Sequence, residues 1–207
     1  NLAASLAGAS AFGQVGTVDA SKATGNITLA VTPGGSSDGK TSVSLGSGDD
    51  TLSIGALDKD YTITGGDGTD TLVATATAPG STLAAANYVG VGVSGFEQAS
   101  TTGGAGTIDF RSLANNTTFV STEGGGTFSK APSGIADSYM PATGSITLTR
   151  ATDGAADALN LHITSATAAT VTASLADEET VTVASAGTGV VTHNLNLTVS
   201  DATKLNV

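Results

Sequence analysis

Residues 45–73 read LGSGDDTLSIGALDKDYTITGGDGTDTLV, and they hold one short pattern twice. The second copy, Gly65-Gly66-Asp67-Gly68-Thr69-Asp70-Thr71-Leu72-Val73, fits the nonapeptide G-G-x-G-x-D-x-U-x at every position, U being a large apolar residue. The first, Leu45-Gly46-Ser47-Gly48-Asp49-Asp50-Thr51-Leu52-Ser53, departs only at Leu45, where a glycine is expected. Glycines let each loop bend into conformations that a Cβ disfavours, so carbonyls can turn inward. Leu52 and Leu72 then each open a short strand facing a core. The copies start 20 residues apart, about one coil of a parallel β-solenoid made of two half-turns. They should therefore stack directly.

Stacking has an electrostatic consequence. Asp50 would lie about one strand spacing, ~4.8 Å, from Asp70. At an effective dielectric of about 20, two carboxylates so placed repel by roughly 3–4 kcal/mol. A divalent ion between them reverses that sign. Ca²⁺ takes about six to eight oxygen ligands from carboxylates and carbonyls, which the Gly/Asp loops offer. The sequence thus predicts Ca²⁺ at these turns; the plain alternative is Gly-Asp turns joining ordinary strands.

Composition narrows the class. With 4% aromatic residues and Ala, Gly, Ser, Thr and Val dominant, bulky side chains are too few for a thick globular interior. Thin layers suit a solenoid, where each coil packs on the next. The net charge of −11 comes from 18 acidic and seven scattered basic residues, which gives no footprint for nucleic acid. No apolar run reaches the roughly 18 residues of a membrane span, so no membrane insertion is expected. The absence of cysteine excludes disulfides and thiol chemistry. Residues 1–12 lack a basic n-region and do not read as a signal peptide. The chain reads as a piece of a longer polypeptide, since it starts without Met and stops in a strand-like run.

Along the chain, Leu2, Leu6 and Phe12 predict a short helical cap. Ile27, Leu29 and Val31 alternate with Thr28, Ala30 and Thr32, a half-buried strand. Val43 with Leu45, and Tyr61 with Ile63, continue the rungs. Asp58 and Asp60 lack the glycine frame and read as solvated turn carboxylates. Ser81 is placed to cap one or two helical turns reaching Tyr88, and the chain then returns to strand or turn at VSGFE, residues 93–97.

The order of a GGDGTDTLV loop, a short connecting helix and VSGFE resembles the calcium-binding repeats of RTX-type secreted proteins. The Thr/Ala-rich surroundings resemble Gram-negative surface-layer (S-layer) proteins and large adhesins that carry such repeats. The close resemblance covers about residues 43–100. It implies an all-β fold, a parallel β-solenoid or RTX-like β-roll with short rungs and a minor helical connection. It also implies calcium contacts from Gly46, Ser47, Gly48 and Asp50, and from Gly66, Asp67, Gly68 and Asp70. The resemblance further implies an extracellular location on a bacterial cell surface, reached by type I secretion. Partners implied are further copies of the chain in a lattice and a surface glycan held by regions outside this segment.

The rest of the chain divides by composition. Residues 1–111 read as a solenoid segment with the calcium loops, 112–144 as a loop-rich insertion or boundary, and 145–207 as a second solenoid segment. Phe119, Phe128, Ile135, Tyr139 and Met140 in the middle stretch read as packing under their own loop. Asp153 and Asp157 precede an alternating strand and are further candidate calcium ligands with a poorer glycine frame. Asp177, Glu178 and Glu179 form an acidic turn that reads as solvated. His162 and His193 sit at alternate strand positions, as surface side chains. No G-x-S-x-G, H-E-x-x-H or Walker loop occurs, so the chain is expected not to be an enzyme. The leading expectation is a structural, calcium-stabilised segment of a self-assembling surface layer. An adhesin stalk or binding module, and an accessory module of a secreted enzyme, are the alternatives.

Overall fold

A computed structural model shows an all-β parallel solenoid. The structure describes residues 2–6, 16–31, 41–54, 61–75, 82–83, 92–102, 106–113, 117–186 and 191–207. Strands are numbered β1 to β20 along the chain. One ten-stranded sheet runs the whole length: β1 (Leu2–Leu6), β3 (Ile27–Val31), β5 (Thr51–Ile54), β7 (Thr71–Thr75), β10 (Gln98–Thr102), β12 (Phe119–Glu123), β14 (Asp137–Met140), β16 (Ala158–Ile163), β18 (Thr180–Ser185) and β20 (Lys204–Asn206). Two shorter sheets share the remaining strands. Four strands, β2 (Thr17–Asp19), β4 (Thr41–Ser44), β6 (Tyr61–Thr64) and β9 (Gly92–Ser94), serve the first half. Six serve the second: β8 (Thr82–Leu83), β11 (Gly106–Asp109), β13 (Gly126–Ala131), β15 (Gly144–Arg150), β17 (Ala169–Leu175) and β19 (His193–Thr198).

The period-two pattern explains the rungs. β3 is buried at Ile27, Leu29 and Val31 and open at Thr28, while β17 buries Ala169, Val171, Ala173 and Leu175. Parallel register carries one apolar position through the long sheet: Leu29 pairs with Leu52, Leu52 with Leu72, Leu72 with Ala99 and Ala99 with Val120. Each fully buried leucine in such a column contributes about 1.5–3 kcal/mol. Between β5 and β7 the register advances 20 residues, from Thr51 to Thr71, so the two glycine loops do stack as their spacing predicts. Midway the column narrows and turns polar. Thr101 Oγ1 donates to Thr122 Oγ1 at 2.7 Å inside the core, near the change from one facing sheet to the other.

Several local expectations give way. The helical cap expected at Leu2 and Leu6 is β1, paired with β3 from Leu2–Ile27 to Leu6–Val31. A short isolated helix nucleates poorly, whereas the edge of β3 offers every backbone group a partner. Phe12, Asp58 and Asp60 lie outside the described residues, as does most of the helical turn expected after Ser81. Thr82 and Leu83 pair instead with β11. The stretch expected to be loop-rich holds β12, β13 and β14, and Phe128, Ile135 and Met140 are fully buried core residues. Gly124, with positive φ, and Gly134 sit in the bends between rungs. The only helix among the described residues is a 3-10 turn, Phe110–Ser112.

Candidate functional site

The turns that lead into the long sheet carry the acidic residues, and register aligns them. Asp50 stands immediately before β5, Asp70 before β7, Glu97 before β10, Asp157 before β16 and Glu179 before β18. Four of these five carboxylates, all but that of Asp157, reach a backbone N–H one coil back. Ile27 N donates to Asp50 Oδ1 at 2.7 Å, Asp50 N to Asp70 Oδ1 at 2.8 Å and Asp70 N to Glu97 Oε2 at 2.8 Å. Asp157 N donates to Glu179 Oε2 at 2.6 Å. An outer column runs the opposite way: Asp49 N donates to Asn26 Oδ1 at 3.1 Å and Thr69 N to Asp49 Oδ1 at 3.0 Å. The acids thus accept the amides that strand pairing leaves over at the turn.

The main chain is knitted in the same way. Asp67 N donates to Gly46 O and Gly48 N to Asp67 O, closing a parallel bridge between Ser47 and Asp67. The coils approach so closely that a Cβ on Gly66, whose φ is +114°, would lie 1.9 Å from Gly46 O. Glycine is needed here for coil-on-coil contact and for a conformation that L side chains rarely adopt.

This geometry corrects the calcium expectation. Among the described residues no group of three or more His, Cys, Asp or Glu side chains is placed to hold a metal ion. Asp50 and Asp70 are indeed neighbours across one rung, but what lies between them is a hydrogen bond from Asp50 N. Asp50 Oδ2 accepts from Gly46 N at 3.3 Å, and the Gly46 carbonyl is taken by Asp67 N. Asp67 is exposed, and the neighbouring acids Asp49 and Glu97 are engaged by Thr69 N and Asp70 N. The donor set is too small and too occupied for Ca²⁺. Asp153 and Asp157 do not form a site either. Asp157 Oδ2 accepts from Gly154 N at 2.8 Å, closing its own turn, while Asp153 is exposed.

One oxygen in the ladder has no partner. Asp70 is fully buried, and its Oδ2 lies over Gly65 with no hydrogen bond. Burial above all, with the charges of Asp50, Glu97 and Asp49, pushes its carboxyl up to about 6, against the N–H from Asp50 that lowers it. Asp153 is also raised, through local desolvation and then Glu179, Asp201, Asp177 and Asp157.

The acidic turn at 177–179 is not uniformly solvated. Glu178 is fully buried and clamps Arg150: Nε meets Oε1 at 2.7 Å and Nη2 meets Oε2 at 2.9 Å. Arg150 also donates to the carbonyls of Pro132, Ile135 and Ala158, so its guanidinium joins several turns. His162 is half-buried rather than free on the surface. Its Nε2 lies 2.8 Å from Asp137 Oδ1 and its ring stacks on Tyr139 at 4.6 Å. Sequence reading missed Asn26, Asp49 and Glu97 as members of the ladder. A usable signal existed: an acid stands directly before five of the ten strands of the long sheet.

No family model matches the chain, and no curated protein or solved structure matches it. The parallel β-solenoid therefore stands on the structure itself. Among the described residues no helix is long and apolar enough to cross a membrane.

Proposed function

We propose that this chain is a non-catalytic structural module of a bacterial surface layer, a stiff segment that assembles with further copies of itself outside the cell. The observation that carries this reading is the ten-stranded parallel sheet spanning the chain from β1 to β20. A stack of short rungs is a scaffold whose stiffness comes from neighbour-on-neighbour contacts. The acidic turns support the same role, since their carboxylates bind one coil to the next. The Thr- and Ala-rich strands and the acidic charge of −11 fit a solvent-facing layer component.

Electron microscopy of the purified chain over a range of concentrations and salt tests the proposal. Ordered sheets or arrays are the expected result. Isolated rods under every condition, with a monomer mass in sedimentation, would refute it and favour a binding-module role.

A further inference from the structure

At the edge where the chain leaves the long sheet, opposite the turns that lead into it, three rung ends meet. β16 ends at Ile163, β18 ends at Ser185 and β19 begins at His193. Ser185 pairs with Ile163 in the long sheet, and His193 pairs with Ala169 in the facing one. The described turns here, residues 141–143, 164–168 and Ala186, carry no charged side chain.

The three ends bring together a hydroxyl, an imidazole and a carbonyl. Ser185 Oγ lies 2.6 Å from His193 Nδ1, and His193 Nε2 lies 3.2 Å from the Ser165 carbonyl oxygen. The carbonyl decides the tautomer. It can only accept a hydrogen bond, so Nε2 carries the ring proton and Nδ1 of the neutral ring keeps its lone pair. Ser185 Oγ–H therefore donates to Nδ1, the direction in which an imidazole takes a proton from a nucleophile. The supports are fixed. Ser165 is buried, and its Oγ donates to Thr167 O at 2.9 Å and accepts from Thr167 N at 3.3 Å, which holds the turn that presents the carbonyl. His193 is half-buried, whereas Ser185 is exposed between two small exposed neighbours, Ala184 and Ala186. A reagent can reach the hydroxyl while the base stays oriented. A nucleophile, its base and a third group that orients the base, each within hydrogen-bond reach, is the arrangement that activates a serine.

We infer that Ser185 is a reactive nucleophile, with His193 as its base, that accepts an acyl group from activated esters whose leaving group is a phenol or a thiol. Ser185 Oγ attacks the acyl carbon as its proton passes to His193 Nδ1. The bond from that carbon to the leaving oxygen or sulfur breaks, and the imidazolium returns the proton to the leaving group. Ester and serine become acyl-serine and free phenol or thiol, with no further reactant. Throughout, Nε2–H donates to Ser165 O, which stabilises the charged ring. The exposed position leaves the developing oxyanion to water, so the gain is that of general-base help alone, ~100-fold. The reaction is a single event on each chain, a modification of a structural module, and it does not rest on the self-assembling reading.

The test treats the full chain with p-nitrophenyl acetate and follows each serine by peptide mass spectrometry. Ser185 should gain acetyl ~100-fold faster than Ser145, an exposed strand serine with no histidine partner. In His193→Gln the Ser185 rate should fall to that of Ser145, while Ser145 itself is unchanged. A hydrogen bond that merely ties β18 to β19 would move neither rate. Nitrogen-15 spectra of the neutral imidazole should show His193 as the Nε2–H tautomer. Equal rates at Ser185 and Ser145, a Ser185 rate that survives His193→Gln, or an Nδ1–H tautomer would each overturn the inference.

Discussion

Asp70 is the residue where the solenoid is most strained electrostatically. Its carboxyl titrates near 6 in the folded chain, against 3.8 for an ordinary aspartate. The folded state therefore binds this proton more tightly than the unfolded state. The stability that follows is fully present below about pH 3.8 and is lost as pH rises through about 6. Asp70→Asn keeps an Oδ1 acceptor for Asp50 N and deletes the charge. It should stabilise the chain by about 1–2 kcal/mol at pH 7.5 and by little at pH 4. Thermal melts of both chains across that range give the difference curve, and a flat difference would contradict the assignment. Arg150 is the opposite case, a buried charge with every demand met. Its five N–H groups are matched by Glu178 and three carbonyls. Arg150→Met should cost about 3–5 kcal/mol in urea unfolding, because Glu178 is left buried and unpaired. Adding Glu178→Met should recover much of that loss.

At the scale of the turn, close coil contact sets what each position tolerates. Gly66→Ala places a methyl against Gly46 O and forces a non-glycine residue to φ +114°. It should destabilise by about 2–3 kcal/mol or more. Gly134→Ala is the matched control, since its Cβ would meet nothing within 4 Å. That variant should stay within about 0.5 kcal/mol of the parent. Denaturant midpoints of the two compare them directly. These turns also mark how far the chain can be read without coordinates. Strand alternation at Ile27, Leu29 and Val31, and the 20-residue step from Asp50 to Asp70, were legible because burial and register leave a periodic trace. The partner of Asp50 was not. A Gly/Asp turn offers the same residue types to a metal and to a neighbouring amide, and only the distance to Ile27 N and Asp50 N separates the two. Glu178 was hidden for a similar reason: its partner Arg150 lies 28 residues away, with no periodic trace between them. In 112–144 the buried positions beside Phe128 and Met140 are held by Gly126 and Ser138, so neither rung shows an apolar alternation.

For the whole molecule, stability should vary along the stack, because each rung is supported only by its neighbours. Leu161 in β16 is fully buried, with Ser138 of β14 on one side and Val183 of β18 on the other. β20 pairs only with β18 among the described strands, and its Leu205 is 53% exposed. β19 shows the same weakening, with every side chain half-buried or exposed where β17 buries four. Leu161→Ala should therefore cost about 2–5 kcal/mol, and Leu205→Ala about 0.5 kcal/mol or less. Native-state hydrogen exchange should show the same gradient: amides of β20 opening at a small fraction of the global free energy, and those of β14, β16 and β18 near the global value. Uniform protection from β14 to β20 would mean that the stack unfolds as one cooperative block, and the neighbour-limited picture of its stiffness would fail.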